Sequence, residues 1–267
     1  MHFLKRWGLV AIVVMALLVA GWWPAAAADT PAEQPGTAAV AAPAPYDWTG
    51  FYAGLFTGRA SSSRAKAKDV GSASGVPYNG SLGHTWSYHL NSSFIGGGQV
   101  GYNFQISPFV LGVEDEVGYI RQKGSRADAS SPAGDTKSST EVGSWFDVLA
   151  GRVGIAADHA LFYIKGGVAF THVSSKVVDN CVTGACGVGA VNASGGKTVV
   201  TEAVGAGLEY ALTNNWTAKA EYLFIDLDTN YKATGVITAG PATGISTTWK
   251  HHAGGLHTVK LGINYRF

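Results

Sequence analysis

His257–Phe267 reads HTVKLGINYRF, and every second side chain is apolar or aromatic: Val259, Leu261, Ile263, Tyr265 and Phe267. Between them stand Thr258, Lys260, Gly262, Asn264 and Arg266. A period of two is a β-strand with one oily and one wet face. Its length is about the 9–11 residues with which a tilted strand crosses a bilayer. In a soluble protein the oily side of such a strand points inward; in a membrane barrel it points to lipid. The rest of the chain decides which.

Eight segments carry the same period: Trp48–Arg59, Ser93–Gln105, Phe109–Arg121, Glu141–Ala156, Ala160–Ser174, Val199–Leu212, Trp216–Asp228 and the closing stretch. Three connections are tight, around Ile106-Ser107-Pro108, Ala157-Asp158-His159 and Thr213-Asn214-Asn215. The other four are long, over 60–92, 122–140, 175–198 and 229–256. Short turns on one rim and long loops on the other are the pattern of an outer-membrane barrel. The expectation is an all-β fold: an eight-stranded antiparallel up-and-down transmembrane β-barrel with short periplasmic turns and long extracellular loops.

A soluble eight-stranded barrel of the lipocalin type would place its apolar face inside, around a ligand, and its charges outside. Here the minority face carries Arg152, Lys165, Lys219, Lys260 and Arg266 together with Glu114, Glu116, Glu209 and Glu221. That mixture suits neither a greasy cavity nor a water-facing coat. The opposite face has aromatics near strand ends (Trp48, Phe109, Tyr119, Tyr210, Trp216, Tyr265, Phe267), as at bilayer interfaces. The apolar face is therefore expected to meet lipid. Across the Thr213-Asn214-Asn215 turn, Glu209 should lie opposite Lys219, with Glu221 and Lys260 on neighbouring strands able to join them.

Residues 1–28 have the form of a secretory signal: Lys5 and Arg6, an apolar run from Leu9 to Val19, and Ala26-Ala27-Ala28 before Asp29. A transmembrane anchor is the rival reading, since Trp22 and Trp23 prolong the run, which is nonetheless short of a span of about 20 residues. Residues 29–45 are Ala/Pro-rich and read as a periplasmic tether; residues 46–267 form the barrel. Removing the leader takes away Lys5 and Arg6 and no acid, leaving 17 basic against 18 acidic side chains. A near-neutral chain implies no nucleic-acid partner.

Trp48–Gly54 (WTGFYAG), Gly112–Glu114 (GVE), the Tyr163-x-x-Gly166-Gly167 pattern, Val204–Trp216 (VGAGLEYALTNNW), Ala220–Tyr222 (AEY) and the closing G-x-N-Y-R-F occur in this order. Together they resemble the opacity-type, small outer-membrane porin family of proteobacteria, especially its alphaproteobacterial surface antigens, over about residues 46–267. The resemblance implies an eight-stranded barrel in the outer membrane of a Gram-negative bacterium. It also implies insertion by the barrel-assembly machinery, with Tyr265 and Phe267 in the assembly signal. Two positions depart from it. Phe56 faces inward where a polar side chain is usual, and Asp115 falls on the lipid face, which places it near a rim or at a bulge.

Catalytic signals are poor. Glu114 and Glu116 share a face at a spacing of roughly 7 Å, but nothing builds a cleft around them, and no Gly-x-Ser-x-Gly elbow or phosphate loop occurs. An enzyme is not expected, nor a cofactor. His251, His252 and His257, with His84 and His89, raise haem or metal uptake; no cysteine or carboxylate completes a ligand spacing, and they read as solvated loop residues. Cys181 and Cys186 (CVTGAC) read as a disulfide staple in an oxidising compartment. The long loops hold few aromatics beyond Tyr78, Trp86, Tyr88 and Trp249 and would carry any recognition of an extracellular ligand or host surface.

The expected function is a structural outer-membrane barrel that supports envelope integrity, shows surface loops and has a charge-plugged interior. A narrow small-solute porin is the alternative, and haem or metal uptake through the loop histidines a lesser one. The expected partners are outer-membrane lipids and the barrel-assembly machinery.

Overall fold

The computed structural model describes residues 46–72, 83–127, 136–180, 189–227 and 229–267. The leader, the tether, Tyr78 and the Cys181–Cys186 pair lie outside the described residues. Twelve strands follow in order: β1 Gly50–Ser62, β2 Ala65–Ser72, β3 Thr85–Tyr88, β4 Ser93–Ile106, β5 Phe109–Ala127, β6 Lys137–Ala157, β7 Ala160–Asp179, β8 Val191–Ala211, β9 Trp216–Ile225, β10 Thr229–Val236, β11 Ser246–Ala253 and β12 Leu256–Arg266. Eight of them, β1-β4-β5-β6-β7-β8-β9-β12, close on themselves through antiparallel ladders, β12 pairing with both β1 and β9. This is the eight-stranded barrel that the period-two segments predict.

The tight turns have the expected chemistry. Ile106 pairs with Phe109 and Ala157 with Ala160, so Ser107-Pro108 and Asp158-His159 are two-residue hairpins. Ser107 (φ 55°) and Asp158 (φ 54°) take the left-handed conformation that such hairpins demand at the first central residue.

On this ring the apolar face is outward. Phe51, Leu55, Phe94, Val113, Leu149, Phe162, Leu261 and their like are exposed, which in a bilayer means lipid. Phe109, Tyr210, Trp216, Tyr265 and Phe267 lie near the turn end, with Tyr265 ringed by Trp216 and Phe267 at 5.1 and 5.3 Å. Trp48 is a correction: it is buried inside the turn-side mouth with Tyr46, not exposed in the girdle. Asp115 is at neither a rim nor a bulge. It sits among outward apolar residues, paired with Val100 and Leu149, and diagonally faces Asp147 across β5 and β6. The nearby irregularity, between Val142 and Phe146, belongs to β6.

The long connections are the larger departure. Strands β5 to β8 continue well past the length that a bilayer needs. Beside them the chain turns off at the ends of β1, β4, β9 and β12 and resumes as β2, β3, β10 and β11, giving the outer order β3-β2-β11-β10-β8-β7-β6-β5. The two edges of this outer sheet are tied where Asn91 N–H donates to Lys123 O (2.8 Å) and Arg126 Nη1 to Ser87 O (3.0 Å).

Sidedness inverts in this outer half. Trp86, Tyr88, Tyr231, Trp249, Val142, Val173, Val177 and Ala193 point inward and are buried, whereas Lys66, Lys68, Lys176, Lys232 and Lys250 are outward and exposed. Trp86, Tyr88 and Trp249 are therefore core residues of a water-surrounded barrel segment and not a loop paratope. Hydroxyls cross that core in a chain, Tyr88–Thr140 (2.8 Å), Thr140–Ser175 (3.0 Å) and Ser175–Tyr231 (2.6 Å), satisfying groups that would be costly to bury alone.

His251 belongs to the same core and not to a solvated loop. It is 0% exposed and stacks on Tyr231, ring centroids 5.7 Å apart, while His252 on the same strand faces out. Burial lowers its pKa from 6.5 to about 4. The folded chain thus holds His251 neutral over a range where the unfolded chain protonates it. Stability from this site is complete above pH 6.5 and is lost as pH falls towards 4, by roughly 3 kcal/mol. Tryptophan fluorescence of the outer half, titrated between pH 7 and 4 in denaturant, should show this loss, and His251→Phe should remove it. An unchanged profile in the variant would refute the assignment.

Candidate functional site

Period-two alternation sends one face of every ring strand into the lumen, and there the expected charged residues meet. Glu114 and Glu116 of β5, Arg152 of β6, Lys165 of β7, Glu209 of β8, Lys219 and Glu221 of β9 and Lys260 of β12 are all buried. Lys165 Nζ lies 3.0, 2.9 and 2.8 Å from carboxylate oxygens of Glu114, Glu116 and Glu221. Lys219 Nζ contacts the same three acids at 3.2, 3.2 and 3.5 Å. Lys260 reaches Glu221 at 2.7 Å and bonds Glu116. Four carboxylates face four cations, a balance without which burial would be prohibitive.

Glu209 pairs in register with Lys219. Its side chain nevertheless turns towards the periplasmic end, where it takes Arg152 Nη1 (3.1 Å), Asn264 Nδ2 (2.7 Å) and the Thr217 hydroxyl. Arg152 lies over the rings of Tyr52 and Tyr163, 4.6 and 5.2 Å from their centroids, while its Nε donates to Asn103 (2.8 Å). The two phenols donate in turn to Glu114 and Glu221, each at 2.8 Å. Sequence reasoning passed over both tyrosines, although the glycines that admit them were visible. A β-carbon at Gly101 would lie 2.2 Å from Tyr52 Oη, and one at Gly207 2.4 Å from Tyr163 Oη. Glycine on the neighbouring strand is what lets a large phenol lie across the lumen.

Arg266 is half-exposed and stands apart from this network. It closes the turn-side mouth, donating to the carbonyls of Asn214 (3.1 Å) and Thr49 (3.4 Å), with its guanidinium 4.5 Å from the Tyr46 ring centre. Tyr46 meets Trp48 edge to face at 4.8 Å, and both are buried against Val110, Leu161 and Tyr163. On the opposite side of the ions, Phe56 accounts for its unusual inward position. Its ring lies 5.0 Å from Lys260 Nζ and 6.1 Å from Phe146, at the floor of the apolar core that fills the outer half.

The carboxylates of Glu114, Glu116 and Glu221 come within 4.8 Å of one another, close enough to share a cation. Three lysine ammonium groups already occupy that role. The histidines are scattered: His251 in the outer core, His257 outward against Tyr222 Oη (2.7 Å), and His89 beside Arg64 (3.1 Å).

A closed antiparallel ring with its apolar face outward and its ions inward defines an integral outer-membrane β-barrel. The outer membrane protein beta-barrel domain family matches residues 36–267, and the chain belongs to it. The 31 kDa outer-membrane immunogenic protein of Brucella melitensis is 30% identical over 265 residues, covering 96% of this chain and 99% of that protein. The 22 kDa outer membrane protein of Rhizobium leguminosarum is 34% identical over 149 residues, 55% of this chain and 56% of its own. Among solved structures, OprG of Pseudomonas aeruginosa has a TM-score of 0.52 at 12% identity, covering 82% of this chain and 96% of its own, a likeness of fold alone. The protein resides in the outer membrane of a Gram-negative bacterium.

Proposed function

We propose that this chain is a sealed, non-enzymatic structural barrel that reinforces the outer membrane and displays an outer half to the exterior. The observation that carries the reading is the filling of the lumen at three successive levels. Tyr46, Trp48 and Arg266 occupy the turn-side mouth, the Glu/Lys/Arg layer the middle, and Phe56, Phe146 and the outer aromatic core the far side. An eight-stranded barrel has an interior that side chains can fill completely. A narrow porin would need a continuous wet path past buried, mutually paired ions and then past apolar side chains.

Surface display accords with the name of the Brucella relative as an immunogenic protein. Planar-bilayer recording of the refolded mature chain tests the closed interior. The expected trace has no unitary steps, and steps of constant size that scale with salt would overturn the reading in favour of a small-solute porin.

A further inference from the structure

The outer half presents a set of cations whose register is unusual. Lys232 of β10 stands directly across from Lys250 of β11, and Lys250 directly across from Lys68 of β2. All three point outward and are exposed. Neighbouring strands are about 4.8 Å apart, so three ammonium stems rise side by side from one row. Like charges placed directly opposite destabilise a sheet. One row nearer the membrane, Asn230, His252 and Lys66 are again directly across from one another. One row farther out, the hydroxyls of Thr234 and Thr248 meet at 3.2 Å.

None of the four lysines has an ion-pair partner among the described residues. Elsewhere on the outer rim the opposite arrangement occurs: Arg121 and Lys123 share Glu141 at 2.7 and 3.3 Å. A repulsive row that no described residue compensates is compensated by something else. The row has a definite height. Lys250 lies about 20 Å along the strand direction from His257 by the strand rise, and His257 with Tyr222 is at the outer end of the lipid-facing surface. That is the zone of the sugars of the outer leaflet, beyond its acyl chains.

We propose that the outward face of β10, β11 and β2 is a binding site for the phosphorylated sugars of lipopolysaccharide in the surrounding outer leaflet. Lys68, Lys232 and Lys250 supply point charges for phosphate, and Lys66, Asn230, Thr234 and Thr248 donate to phosphate and sugar oxygens. Divalent cations ordinarily bridge the phosphates of neighbouring lipopolysaccharide molecules; the lysine row replaces them at the protein's edge. This site is independent of whether the lumen conducts.

The test uses the full mature chain in phospholipid vesicles and rough lipopolysaccharide as the probe, with and without chemical removal of its phosphates. The variant is Lys68→Gln with Lys232→Gln and Lys250→Gln. The control removes the same charge from Lys137, Lys176 and Lys197, exposed lysines of β6, β7 and β8 that are not directly opposite one another. Phosphorylated lipopolysaccharide should bind the parent at least tenfold more tightly than the dephosphorylated form, including in EDTA. The β10–β11–β2 triple should lose at least tenfold in affinity and the control less than threefold. Without lipopolysaccharide the same triple should unfold at higher temperature than the parent, because the repulsive row is gone. Equal losses in both triples would reduce the effect to general attraction and overturn the site. Tighter binding of a sulfated glycan oligosaccharide, displacing lipopolysaccharide, would assign the face to an external ligand and overturn the proposal as stated. Folding of every variant is verified by faster gel migration before boiling.

Discussion

Lys219→Ala is expected to destabilise the barrel by roughly 3–5 kcal/mol, the range for removing one partner from a buried ion pair. Lys219 contacts Glu114, Glu116 and Glu221 at once. Its loss leaves four buried acids facing Arg152, Lys165 and Lys260 alone. An excess negative charge in a water-poor lumen must be protonated, hydrated or tolerated, and each of these costs stability. Urea unfolding from vesicles reads the loss. Lys219→Met combined with Glu116→Gln should recover most of it, because balance is restored at similar volume. A single variant that loses less than about 1 kcal/mol would mean that the ions are hydrated, and it would weaken the sealed reading together with the bilayer experiment.

Trp249→Ala should produce a loss of similar size in a different place. The indole is 0% exposed in the outer core, near Trp86, Tyr231 and the buried His251. Truncating a buried tryptophan costs about 3–5 kcal/mol through lost transfer energy and the remaining cavity. The outer half has no lipid around it, and its strands β2, β3, β10 and β11 are short. The cost should therefore appear there as local opening. Limited proteolysis of the intact protein in vesicles should cut within 60–92 and 229–256 far faster in the variant. The ring below should keep its unboiled gel shift. Unchanged proteolysis would refute a cooperative apolar core in this half.

The membrane ring was legible because its rule is local. A strand of period two places alternate residues on opposite faces whatever its neighbours are, so Lys260 against Leu261, or Glu114 against Val113, can be read from spacing. Register across a short turn is nearly as local, and Glu209 falls opposite Lys219 for that reason. Which ion each acid meets was not legible. Glu209 chooses Arg152 and Asn264 over its cross-strand lysine, since side chains of eight converging strands compete inside a narrow lumen.

The outer half was misread for a related reason. Residues 60–92 and 229–256 are rich in Gly, Ser and Thr, and their strands carry lysine where the ring carries leucine. The alternation is present in Ala65-Lys66-Ala67-Lys68 and in Trp249-Lys250-His251-His252, but the stretches are short. A short alternating stretch does not declare which neighbour will cover it.

By itself the sequence determined that the chain is an antiparallel barrel with lipid outside and ions inside, because each strand's two faces differ in transfer energy by more than any single contact could reverse. Only the tertiary structure decided where that sidedness inverts, which carboxylate each cation meets, and that three lysines rise in one row. Those facts depend on the register between strands remote in sequence, and register is set by the whole closed sheet rather than by any strand within it.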